Sequence, residues 1–171
     1  MTVFRGAEAV LVSGVYGVGK TSLVEEMAYV LESRDQPYAA IDVDWLGWFS
    51  AEDEATETRV RLANLADVVG RYLSAGVRYL ALAQSVPDAA ALADVRVAVR
   101  VPLRVVGLEL PQEGIRRRLD HAVTRGREDD LRAAAEWLAT GRGTGFEDLV
   151  LPSDRPVSAL AAEVLDWLGW V

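Results

Sequence analysis

The sequence predicts an α/β fold, a parallel β-sheet covered by helices on both faces. Apolar runs alternate with helical patterns along the whole chain, the arrangement that builds strand–helix–strand units. The runs are continuously apolar instead of alternating with polar residues, which suits strands buried on both faces. At 171 residues the chain has the length of one domain, so residues 1–171 are read as a single unit around one core.

The elements follow in order. AEAVLVSG (7–14) is a first buried strand. KTSLVEEMAYVLESR (20–34) is a helix with Leu23, Met27, Val30 and Leu31 on one face. QPYAAIDVD (36–44) opens on a turn proline and forms a second strand. ATETRVRLANLADVVGRYLSAG (55–76) is a long helix ended by Gly76. VRYLALAQSV (77–86) is a third strand, PDAAALADVRVAV (87–99) a short helix begun at Pro-Asp, and VPLRVVGLEL (101–110) a fourth strand. Residues 111–141 are helical with a break near Gly126. FEDLVLPSD (146–154) is a short fifth strand, and PVSALAAEVLDWLGW (156–170) a closing helix with Pro156 near its start. Trp137, Trp167 and Trp170 fall on helical faces and are read as core or as docking of the C-terminus. Ligands of such sheets bind beyond the carboxyl ends of the strands.

Composition narrows the partners. A net charge of -8 argues against nucleic acid, whose phosphates favour a basic face. With no cysteine, neither disulfides nor thiolate metal sites can form. No apolar run reaches the roughly 18 to 20 residues of a membrane span, and Glu8 interrupts any signal-like N-terminal stretch. The expectation is a soluble cytoplasmic protein, monomer or homodimer, with no nucleic-acid or membrane partner.

The chemistry concentrates between the first strand and the first helix. Gly14, Gly19, Lys20 and Thr21 fit G-x-x-x-x-G-K-[ST], the phosphate-binding P-loop, or Walker A motif. Glycines let the backbone curl so that the N–H groups of Val15, Tyr16, Gly17, Val18 and Ser22 join those of the motif around a phosphate. Lys20 is the only lysine; every other basic residue is arginine. A compact ammonium reaches β- and γ-phosphates in a way that a planar guanidinium does not match. Composition pressure toward arginine therefore stops at this position. Thr21 would give its hydroxyl to Mg²⁺.

The rest of the chain separates the kinds of P-loop protein. The third strand ends in Gln84 and Ser85 with no carboxylate, unlike motor and transporter ATPases, and no Asn-Lys pair exists for reading guanine. Carboxylates stand instead after the second strand, as Asp42 and Asp44. On an extended backbone that spacing points both to one side. Two carboxylates beside a phosphate loop suit a metal-side ligand and a group that orients an acceptor hydroxyl.

The P-loop, the D-x-D after the second strand and the late arginine-rich helix resemble the P-loop small-molecule kinases. That group includes shikimate, gluconate and adenylylsulfate kinases and chloramphenicol phosphotransferase. The resemblance runs over essentially the whole chain. It implies a three-layer α/β/α sandwich, a five-stranded parallel sheet in the order 2-3-1-4-5, and a short helical lid near residues 114–130. It implies an ATP-dependent kinase that phosphorylates a hydroxyl of a small-molecule acceptor, with ATP and Mg²⁺ as cofactors. Asp42 becomes the metal-side carboxylate with Thr21, and Asp44 the catalytic, substrate-side one alongside Lys20. Arg118, in an Arg-Leu pair, resembles the arginine that stacks on adenine, and Arg125 or Arg127 the lid arginine. The position three after that pair, often a second arginine in the group, is Ala122 here. PSDRP, with Arg155 and Pro156, stands where the group's adenine-flanking loop lies. Arg59 and Arg61 stand where several members bind an anionic substrate, Arg59 being the one assigned. Trp45, Trp48 and Phe49 fit two readings, lining an acceptor pocket or packing a flap; Trp45 is assigned to the substrate. His121, the only histidine, is read as a surface or lid residue. Two other functions remain open: a nucleoside or nucleotide kinase, and a regulatory nucleotide-binding ATPase module with little turnover.

Overall fold

A computed structural model describes residues 6–119 and 127–171. Its order is β1 (Glu8–Ser13), α1 (Lys20–Ser33), β2 (Tyr38–Asp42), α2 (Glu54–Ser74), β3 (Tyr79–Ala83), α3 (Ala89–Val99), β4 (Leu103–Glu109), α4 (Gln112–Leu119), α5 (Arg127–Thr140), β5 (Leu149–Pro152) and α6 (Val157–Leu168). The five strands form one parallel sheet in the order β2-β3-β1-β4-β5. Helices cover both faces, so the architecture is the three-layer α/β/α sandwich expected from the sequence.

Two apolar layers explain why the central strands read as unbroken hydrophobic runs. Val10 and Val12 of β1 face a core built with Leu23, Met27 and Leu31 of α1 and Leu160, Val164 and Leu165 of α6. Leu11, one residue out of phase, faces a second core with Leu65 and Val69 of α2 and Leu92, Val95 and Val99 of α3. Val10, Leu11 and Val12 have no exposed surface, and each such side chain contributes about 1.5–3 kcal/mol on burial. Alternate residues thus serve opposite layers.

The register positions the site. Val12 pairs with Ala83, and Ala83 with Asp42. The end of β2 is therefore level with the start of the loop that leaves β1. At the other end of the sheet the C-terminus is docked: Trp170 is buried against Tyr79, and its indole N–H donates to Glu8 (3.3 Å). The Arg104 guanidinium lies over Trp167 and donates to the carbonyls of Trp167 and Leu168. Among the described residues no helix is long and apolar enough to cross a membrane.

One expectation is corrected. The second strand stops at Asp42. Val43 turns into helical geometry (φ -71, ψ -25), and residues Asp44–Gly47 form one turn of 3₁₀ helix. The pairing of the two carboxylates does not come from an extended backbone. It comes from a turn in which the Asp44 N–H donates to Asp42 Oδ1 (3.1 Å). Residues 111–141 hold two helices, α4 and α5, one on each side of the expected break. Gly126, where the break was expected, lies outside the described residues, as do His121, Ala122 and Arg125.

Candidate active site

The loop between β1 and α1 is shaped by backbone that only glycine tolerates. Gly14 has φ +144, and a Cβ there would sit 2.6 Å from the Leu108 carbonyl oxygen. Gly19 has φ +105, and a Cβ there would sit 3.0 Å from Arg118 Nη1. Neither position accepts a side chain without displacing its neighbour. Val15 and Val18 are buried and anchor the loop, while Tyr16 and Gly17 line a cavity of about 770 Å³. Ser85 Oγ donates to the Gly14 carbonyl (2.9 Å), and Ser13 Oγ accepts from the Val86 N–H (3.2 Å). The end of β3, which carries no carboxylate, thus braces the loop from below.

Helix α1 starts without a side-chain cap and with no acidic residue in its first turn. Helices α2 and α3 are capped by Asp53 and Asp88, each accepting a backbone N–H. The first-turn N–H groups of α1 keep their donor capacity, and the helix dipole adds positive potential there. That combination favours negative charge at the mouth of the cavity.

Four polar side chains meet at this point. Lys20 is buried, and its ammonium donates to the Val15 carbonyl (3.2 Å). Burial lowers its pKa, against the opposing pull of Asp44 and then Asp42. The Thr21 hydroxyl donates to Asp42 Oδ2 (2.7 Å). Asp44 keeps contact with solvent in the open cleft, yet protein encloses it on most sides. That desolvation raises its pKa, with Asp42 adding repulsion, while Lys20 and Arg61 act to lower it. Lys20, Thr21, Asp42 and Asp44 all line the one cavity.

The two candidate arginines of α2 part company. Arg59 is exposed and lines a separate shallow depression with Glu54 and Asp94, outside the main cavity. Arg61 instead packs its aliphatic stem on Gly47, within electrostatic reach of Asp44, and its Nε is buried with no hydrogen-bond partner. Residues two apart on a helix face nearly opposite ways. The sequence does carry a signal for choosing: Arg61 is four before the buried Leu65 and eight before the buried Val69, so it shares their face. Trp45 and Trp48 line the main cavity, their ring centroids 4.6 Å apart. Phe49 is exposed and does not line it.

On the far side, Arg118 of α4 reaches back to the loop. Its guanidinium donates to the Val18 carbonyl and to both the hydroxyl and the carbonyl of Ser153. Ser153, buried just after β5, also donates to the Val18 carbonyl. Ser153 lies within the PSDRP segment, a small polar residue at the carboxyl end of a strand, where such a fold gathers function. Arg155 lines the cavity and pairs with Glu163 (2.7 Å). Pro156 does not line the cavity; it precedes α6 at the cap position. Arg127 opens α5.

Neither a protein-family model nor a curated protein matches the chain. Solved structures do. The chain is similar to a sugar kinase from Janibacter sp., with 21% identity, 95% of each chain covered and a TM-score of 0.69. It is similar to the Mycobacterium tuberculosis APS kinase solved with AMPPNP and APS, with 22% identity, 95% of this chain and 98% of that one covered, and a TM-score of 0.64. A shikimate kinase from Bacteroides thetaiotaomicron matches at 16% identity over 94% of this chain and 98% of its own, with a TM-score of 0.66. The shared property is the fold, that of the P-loop small-molecule kinases.

Proposed function

We propose that the protein is a kinase that moves the γ-phosphoryl group of ATP to a hydroxyl of a small molecule. One observation carries this reading: a phosphate loop with its lysine and an open helix end faces two carboxylates in different surroundings across one cavity. A nucleotide binder needs the first half of that arrangement. It has no use for Asp44, which adds a partly desolvated carboxylate beside Lys20.

The donor set suits a magnesium ion. Thr21 and Asp42 present hard oxygen ligands that already touch each other. Among the described residues no group of three His, Cys, Asp or Glu could cage a metal. Magnesium is commonly held by one or two protein oxygens together with phosphates and water. Bound there, the ion would neutralise charge on the transferring phosphoryl group.

The residues of the chain then divide the work. Loop amides, the α1 N-terminus and Lys20 hold the β- and γ-phosphates. Asp44 accepts a hydrogen bond from the acceptor hydroxyl and turns its oxygen toward the γ-phosphorus. The new bond forms between that oxygen and phosphorus, and the bond from phosphorus to the β,γ-bridging oxygen breaks. The hydroxyl proton passes to Asp44, and ADP leaves. A raised pKa suits Asp44 to this, because a base works best with a pKa near the working pH. Arg118, tied to Val18 and Ser153, places α4 against the nucleotide side and limits the access of water.

Calorimetric titration of ATP–Mg²⁺ into two variants tests the division. Asp42→Asn is expected to weaken magnesium-dependent binding. Asp44→Asn is expected to leave that affinity nearly intact and to cut acceptor-dependent ADP release by roughly 10² to 10⁴. Two variants with parental affinity and turnover would remove the basis of the assignment.

A further inference from the structure

Two large aromatic side chains stand in water beside Asp44. Trp45 is 66% exposed and Trp48 77% exposed, although indole surface is costly to leave wet. Trp45 belongs to the 3₁₀ turn that begins at Asp44, Trp48 directly follows it, and both line the main cavity. Their rings meet at 52°, a tilted arrangement that leaves an open face on each. The turn beneath them is pinned. Leu46 packs into the α2/α3 core and its carbonyl accepts from Asn64 Nδ2 (2.8 Å), while Gly47 is wedged against the Arg61 stem. The backbone that carries the tryptophans is therefore held in place at the cavity wall.

We infer that this tryptophan pair holds a flat aromatic ring of the phosphoryl acceptor, so that the substrate is an aromatic alcohol with few hydroxyls and not a polyol. This rests on the kinase reading for the word acceptor; ring binding by the two tryptophans does not. The polar inventory of the cavity selects between the two acceptor classes. Among the described residues its other polar side chains come from the phosphate loop and α1 start, the end of β2, α4 and the segment after β5. Those groups face the nucleotide and its metal in the reading above. Beside the tryptophan pair, Asp44 is the lining side chain left for an acceptor hydroxyl. A carboxylate accepts and does not donate, so the two oxygens of Asp44 can serve a hydroxyl or two but not a whole polyol chain. A polyol would bury several more without partners, and each unpaired hydroxyl weakens binding. An aromatic ring needs none, and offset or tilted stacking on indole rewards it beyond buried area.

The test uses the full chain, ¹⁵N-labelled and saturated with ADP–Mg²⁺. The five indole N–H signals are assigned through Trp45→Phe and Trp48→Leu. Three probes are titrated: 2-phenylethanol, its saturated twin 2-cyclohexylethanol, and gluconate. The expected result is that 2-phenylethanol shifts the Trp45 and Trp48 signals and binds about 3- to 10-fold more tightly than its twin. Gluconate should leave both signals in place. Trp48→Leu should erase the preference and Trp48→Phe should keep part of it, and both side chains are exposed enough for the variants to fold. Equal affinity for the twin, a response to gluconate, no response to the aromatic probe, or a complete shift on ADP–Mg²⁺ alone would each overturn the inference. ADP release from ATP across a panel of aromatic alcohols is read separately. Indole shifts with no ADP release from any of them would leave the ring site standing and sink the kinase reading.

Discussion

Lys20 is a buried cation held against its own solvation cost. Its pKa is lowered chiefly by burial, so the folded state binds this proton less well than the unfolded chain does. The cost is present in full below the lowered value and disappears as pH rises through it toward the ordinary lysine range. Lys20→Met should therefore abolish tight ATP–Mg²⁺ binding while its thermal midpoint at pH 7 stays level or rises. Lys20→Arg should also bind poorly, because the guanidinium fork does not fit the slot. Calorimetry and a melting curve check both; full affinity in either variant contradicts the assignment. Asp44 has the opposite sign. Burial raises its pKa, so ionised Asp44 costs stability once pH passes above the ordinary carboxylate range and through the raised value. Asp44→Asn should melt higher than the parent at pH 7 and level with it at pH 3. A lower midpoint at pH 7 would mean that the charge is favourable overall. The place of the lysine in the cavity wall was legible because it is the one exception in an arginine-only chain. The Asp42–Asp44 pairing was legible only as a spacing, since the turn at Val43 that builds it has no marker in the residues D-V-D.

The turn Asp44–Gly47 and helix α4 are the elements that set the cavity's two sides. A Cβ on Gly47 would fall 2.9 Å from side-chain carbons of Arg61. Gly47→Ala should displace that arginine, which helps to hold down the Asp44 pKa. The acid limb of the pH–rate profile should then move up relative to the parent, and an unmoved limb would show that Arg61 has no influence on the base. Gly14→Ala meets backbone at 2.6 Å in a left-handed conformation, and should cost roughly 1–3 kcal/mol in urea denaturation. Strands β1, β3 and β4 were readable because both of their faces are buried. The division of 111–141 into two helices was readable from Gly126, but the docking of α4 through Arg118 on Val18 and Ser153 had no marker in the sequence. That Arg61 and not Arg59 faces the Asp44 turn could have been read from the face that Leu65 and Val69 mark.

At the scale of the molecule, an acidic chain gathers positive charge where phosphates would sit. The net charge is -8, yet Lys20, Arg118 and Arg155 all line the cavity. Helix α4 is linked to the phosphate loop through Arg118 and to the segment after β5 through Ser153. Nucleotide should therefore slow amide exchange in α4 together with the loop, while the C-terminal latch at Trp170 exchanges as before. Exchange in α4 that ignores ATP–Mg²⁺ would reduce it to a surface helix. The most direct test of the whole account is ADP release from ATP–Mg²⁺, measured across a library of small hydroxyl compounds for the parent protein and Lys20→Met. The account predicts slow release until one class of acceptor is added, then release matched mole for mole by a phosphorylated product, and none of this in the variant. Release at a rate that no acceptor changes, or that survives the loss of Lys20, would contradict it.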